Sequence, residues 1–137
     1  MKKLNLRIKQ IEVIDHSLRD GVIKIKVDYF CNERMQTIGA NISLGNSEKM
    51  AQMLVKLIRE HEIAKNERGD DDILSSCVSI DFGDPEELIE KISTCFGKIV
   101  MRANDIKGNK TADNYFNRLD SIRGMRFDLD NPRLKLM

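Results

Sequence analysis

Along residues 3–44 apolar and polar side chains alternate at every second position, the pattern of strands that bury one face and wet the other. Two turn signals divide this stretch into a meander of three strands. Asp20-Gly21 is a dipeptide suited to a type I′ hairpin, which needs positive φ at both central residues. Taken as a two-residue loop, it pairs Arg19 with Val22, Leu18 with Ile23, His16 with Ile25 and Ile14 with Val27. A second two-residue loop at Asn32-Glu33 pairs Val27 with Ile38, Ile25 with Ala40 and Ile23 with Ile42. The two registers agree on one apolar face, with rows Leu18-Ile23-Ile42, His16-Ile25-Ala40 and Ile14-Val27-Ile38. A one-residue slip would turn that whole set to solvent. Leu4, Leu6 and Ile8 alternate out of phase with Ile11 and Val13, which predicts a bulge near Lys9-Gln10. Leu4–Ile8 then overhangs the hairpin and needs a further partner strand.

After Gly45 the period changes. Asn46-Ser47 supplies a cap for a helix over Glu48–Asn66, whose apolar stripe is Met50, Met53, Leu54, Leu57, Ile58 and His61. That stripe is the natural cover for the apolar face of the meander. Cys77–Phe82 reads as a short strand. A second helix follows, with Asp84 at the N-cap, Pro85 in its first turn and Glu87 beside the positive helix end. Leu88, Ile89, Ile92, Phe96 and Ile99 form its stripe. Gly97 leaves two endings: a stop there with a strand over Lys98–Ala103, or continuation to about Asn104, which the spacing 92, 96, 99, 103 favours. Thr111 is expected to cap a short helix to about Ile122, and Met125–Leu129 alternates like a strand that would pair with Leu4–Ile8. The fold class is α+β: a three-stranded antiparallel meander packed on a helix, then a β-α unit and a short C-terminal helix.

With 137 residues the chain is long enough for one domain, expected over residues 1–130, with a tail at 131–137. Hydrophobic residues at 41% and charged residues at 33% exclude a wholly disordered or membrane-spanning chain. The net charge of +1 argues against a general polyanion binder. Its distribution changes that picture, because residues 1–44 carry +3, residues 45–97 carry −6 and residues 98–137 carry +4. A local basic surface therefore has to come from the meander or the tail. Cys31, Cys77 and Cys95 are odd in number and have no C-x-x-C spacing, so they read as reduced thiols in a cytoplasmic protein. Met1-Lys2-Lys3 is followed by alternating charged and apolar residues, which do not build the apolar core of an export signal.

Chemistry-bearing motifs are sparse, and the expectation leans away from an enzyme. The glycines are scattered and no phosphate loop is present. His16 and His61 are the only histidines; a small site joining them to Cys77 or Glu62 is the one arrangement they offer. Asp70-Asp71-Asp72 lacks calcium-loop spacing and reads as a solvated acidic loop. Asp81 stands at a strand end, where a metal-dependent hydrolase using the Asp70–Asp72 loop would place a carboxylate. No cofactor is implied.

Two surfaces remain for binding. The open meander face carries Lys24, Lys26 and the side-chain-free Gly39, with Ile11, Phe30 and Met35 as an apolar row at one end. The tail Arg133–Met137 is the other. These features favour a non-catalytic protein-binding module of the inhibitor, immunity or accessory kind, recognising another protein through Ile11, Phe30, Met35, Lys24, Lys26 and Gly39. Nucleic acid on the basic face and tail is the alternative, and strand edges offer a route to a homo-oligomer.

Overall fold

A computed structural model describes residues 2–69, 78–108 and 121–129. The Asp70–Asp72 loop, Cys77, the start of the expected third helix at Thr111 and the tail 131–137 lie outside the described residues. The elements run β1 (Lys2–Ser17), β2 (Val22–Cys31), β3 (Arg34–Ser43), α1 (Ser47–Gly69), β4 (Val78–Asp81), α2 (Pro85–Gly108) and β5 (Arg126–Asp128). The fold is α+β, as its alternation and helical periods predict. Its sheet is mixed and has five strands rather than three, in the order β3-β2-β1-β4, with β5 also on β1.

β1 is the spine. One edge pairs antiparallel with β2 along most of its length. The other edge is shared: β4 runs parallel along Lys2–Asn5, and β5 runs antiparallel along Gln10–Glu12. The overhanging Leu4–Ile8 stretch therefore finds β4, and β5 pairs farther along than expected. Two register shifts let one strand serve all three partners, one between Ile8 and Gln10, at the bulge its phase change predicts, and one between Val13 and Asp15. Leu4, Leu6 and Ile8 point into the core before the first shift, Ile11 and Val13 between the two, and His16 lies beyond the second, half-buried.

The β2–β3 register is the predicted one, Val27↔Ile38, Ile25↔Ala40 and Ile23↔Ile42, around a tight turn in which Asn32 (φ 49°) and Glu33 (φ 71°) are both left-handed. The β1–β2 register differs. Ser17, not Arg19, pairs with Val22, and Val13, not His16, pairs with Ile25. Ser17 is the reason: its Oγ donates to the Asp20 carboxylate (2.9 Å) and accepts the Asp20 N–H (3.3 Å), closing a loop over Leu18–Gly21 that returns Leu18 to the core. Gly21 supplies the left-handed residue of that loop (φ 66°), and its carbonyl then accepts the N–H of Leu44 (2.7 Å).

Both helices help to cover the core face of the sheet. α1 starts where Asn46 Oδ1 accepts the Lys49 N–H (3.0 Å), and α2 where Asp84 Oδ1 accepts the N–H groups of Glu86 and Glu87 (both 3.1 Å). α2 continues through Gly97, which faces Ser47 at the crossing of the helices, where the Ser47 and Ser93 hydroxyls share a hydrogen bond (3.1 Å). Its buried stripe is Ile92, Cys95, Phe96, Ile99, Ala103 and Ile106. On α1 the buried stripe is Met50, Ala51, Leu54, Ile58 and Glu62, rotated from the predicted one so that Met53 and His61 face outward. The rotation puts a carboxylate where sequence periodicity placed a histidine. Among the described residues, no helix is long and apolar enough to cross a membrane.

Candidate partner-binding face

The sheet face opposite the helices is exposed, and the observed registers define its rows. Asp15, Lys24 and Asn41 form one; Arg126, Glu12, Lys26 and Gly39 the next; Asp128, Gln10, Asp28 and Thr37 a third; and Arg7, Phe30 and Met35 a fourth. Lys24, Lys26, Gly39, Phe30 and Met35 thus share one surface, as their alternation requires. Ile11 does not join them. It is 0% exposed, pairs with Val27 and belongs to the core, because the register shift between Val13 and Asp15 reverses the phase of β1 as counted from the β1–β2 loop.

Arg7 takes the place predicted for Ile11. Its guanidinium carbon lies 4.6 Å from the centroid of the Phe30 ring, and Lys9 Nζ lies 5.9 Å from it. A cation over an aromatic face at such a site contributes about 0.5–1 kcal/mol and keeps the ring oriented at the surface. Met35, 45% exposed, continues the apolar row to the sheet edge. Sequence reasoning missed Arg7 and Lys9 because it left Leu4–Ile8 unpaired. Their signal was present in the alternation of Leu6, Arg7, Ile8 and Lys9.

The charges on this face are unevenly engaged. Glu12 holds Arg126 (3.4 Å), Asp15 holds Arg123 (3.1 Å), Asp81 holds Lys3 (3.4 Å), and Asp28 accepts the Thr37 hydroxyl (2.7 Å). Lys24 and Lys26 form no ion pair among the described residues, although Asp15 and Glu12 stand opposite them in the ladder. Over these rows the charges balance, Lys24, Lys26, Arg126 and Arg7 against Asp15, Glu12, Asp28 and Asp128, and the cations nearest the apolar end are Arg7 and Lys9 beside Phe30.

The other predicted constellations separate. His61 is exposed on α1 beside Thr37–Asn41 of β3, whereas His16 pairs with Ile23 near the β1–β2 loop. Glu62 is held by β2: the Tyr29 hydroxyl donates to its Oε1, and Cys31 Sγ lies 3.6 Å from its Oε2. The Tyr29 phenol is pushed up in pKa by burial, then by the adjoining carboxylate. Burial also raises the Cys95 thiol, to about 11, leaving it a small hydrophobe. Asp81 accepts the N–H of left-handed Gly83 (φ 80°, 2.8 Å), a bond that with Lys3 lowers its pKa. That turn and ion pair account for Asp81 structurally. Among the described residues, no group of three or more His, Cys, Asp or Glu is arranged to hold a metal ion.

No family model, no curated protein and no solved structure matches the chain. The functional reading accordingly rests on the geometry of this face.

Proposed function

We propose that the protein is a non-catalytic binding module whose open sheet face recognises another protein, of the inhibitor, immunity or accessory kind, through an acidic surface that carries an apolar projection. The observation that carries this reading is the placement of Arg7 and Lys9 beside Phe30, with Met35 paired to it, at one end of the open face, while Lys24 and Lys26 stand farther along the same face with no ion pair among the described residues. The apolar end supplies desolvated area, and the Arg7 and Lys9 cations beside it orient an acidic partner. The mixture of signs across the rows favours a protein over a nucleic acid, which would meet Glu12, Asp15 and Asp28 along its backbone path.

The test is capture of a stoichiometric protein partner by the full chain, compared with Phe30→Ala and with Lys24→Glu/Lys26→Glu. Loss of capture in both variants, and weakening with salt in the parent, support the reading. Salt-sensitive binding of DNA or RNA with no protein partner overturns it in favour of the nucleic-acid alternative.

A further inference from the structure

Among the described residues β3 forms the edge of the sheet and lacks the devices that guard edges. Its ladder with β2 is regular over all ten residues, with no bulge and no proline. After Arg34 it carries no charge: Met35, Thr37, Gly39, Asn41 and Ser43 stand on the open face, and Gln36, Ile38, Ala40 and Ile42 on the helix side. Edge strands that remain solitary are normally kept so by charges, prolines or distortion. The opposite edge of this sheet follows that rule, since β4 and β5 are four and three residues long and bear Asp81, Arg126 and Asp128.

Among the described residues, the flank of α1 beside β3 is also uncovered. Thr37–Asn41 line a recess with Leu57, Glu60 and His61, and Met53, one helical turn before Leu57, is 48% exposed. A strand added along β3 would hydrogen-bond to its outer edge and set every second side chain over this recess. A flat strand without proline and with few charges meets no like charge along this edge. Among the described strands β3 itself comes closest, with Arg34 at its start as its one charge, whereas β1 and β2 carry several and the short β4 and β5 are already paired to β1.

We propose that β3 pairs with β3 of a second copy of this chain, antiparallel about a two-fold axis. Two five-stranded sheets then become one continuous sheet, with the α1 flanks brought together beneath it. The pairing leaves the open face free and doubles it, so it stands or falls separately from the recognition of a partner there.

The test is the solution mass of the full chain across the micromolar range, combined with hydrogen exchange of the β3 amides. The expected result is a dimer in which the β3 amides pointing away from β2 are protected. In Gly39→Lys/Asn41→Lys, two exposed positions where added charges would repel across the axis, the mass should halve and those amides should exchange at least roughly tenfold faster. Should that variant fail to fold, the parent decides alone, because dilution to monomer must speed the same amides. A parent that is monomeric throughout, a dimer that persists in the folded variant, or a dimer with fast-exchanging outer β3 amides overturns the proposal. Phe30→Ala should leave the dimer intact.

Discussion

The hydroxyl of Tyr29 on β2 donates to the carboxylate of Glu62 on α1, and this pair ties the helix to the sheet from within the core. Glu62 is 2% exposed, the one charged side chain among the buried residues described, and Cys31 flanks it from the same strand. A buried carboxylate that loses a donor is left with an unmet desolvation cost of about 1–3 kcal/mol. Tyr29→Phe should therefore lower the unfolding free energy by about that amount although it removes a single oxygen. Chemical denaturation checks it, and an unchanged midpoint would show that the bond contributes nothing to stability.

The same pair predicts behaviour in alkali. The folded pKa of Tyr29 is raised above its ordinary value of 10.0, so the protonated phenol is the form the fold favours. The associated stability is fully present below pH 10.0 and is lost as the pH rises beyond it, when the unfolded chain ionises and the folded one does not. The chain has two tyrosines, so part of the phenolate absorbance should appear only with unfolding, and that part should be missing from Tyr29→Phe.

Acid acts through two carboxylates on the open face. Asp15 is lowered by the N–H of His16 and by Arg123, and Asp81 by the N–H of Gly83 and by Lys3. For both, the stabilising contribution is present above the ordinary value of 3.8 and fades as the pH falls through the lower folded value. Thermal midpoints measured below pH 3.8 should fall less steeply in Asp15→Asn and Asp81→Asn than in the parent.

The β2–β3 turn holds Glu33 at φ 71°, a conformation that costs a non-glycine residue about 1–2 kcal/mol. Glu33→Gly should stabilise the protein, by about 0.5–1 kcal/mol after glycine's own entropy is counted, because it creates the Asn-Gly pair that this turn prefers. A higher thermal midpoint is the expected outcome; a lower one would place the strain elsewhere.

The parts of this fold that were legible in the sequence are those fixed by local chemistry. Asn32-Glu33 set the register of β2 against β3, and Asp84-Pro85 set the start of α2, because each turn or cap depends on a few adjacent residues. β1 was misread where a longer loop competed with a shorter one. Asp20-Gly21 has the look of a two-residue turn, yet the bonds between Ser17 and Asp20 close a wider loop. That loop moves the pairing by two residues, which keeps the faces; the register shift between Val13 and Asp15 then turns Ile11 into the core, and the one between Ile8 and Gln10 brings Arg7 opposite Phe30. The rotation of the α1 stripe was illegible for a different reason: a periodic apolar pattern does not reveal that Tyr29 offers a hydroxyl to a buried glutamate one position beyond His61. The parallel pairing with β4 depends on contacts distant in sequence, which no local signal encodes.

The divided edge of β1 has a consequence for how the protein is made. The β1–β2–β3 hairpins close among neighbours in sequence, whereas Glu12 waits for Arg126, 114 positions later, and Val13 waits for the amide of Gly124 and the carbonyl of Met125. During synthesis, Lys9–Val13 of β1 keep one edge unpaired until residues near 129 have emerged. Chains released before residue 124 would carry an exposed strand in the middle of their own sheet, and they are the species in which aggregation or chaperone capture should begin.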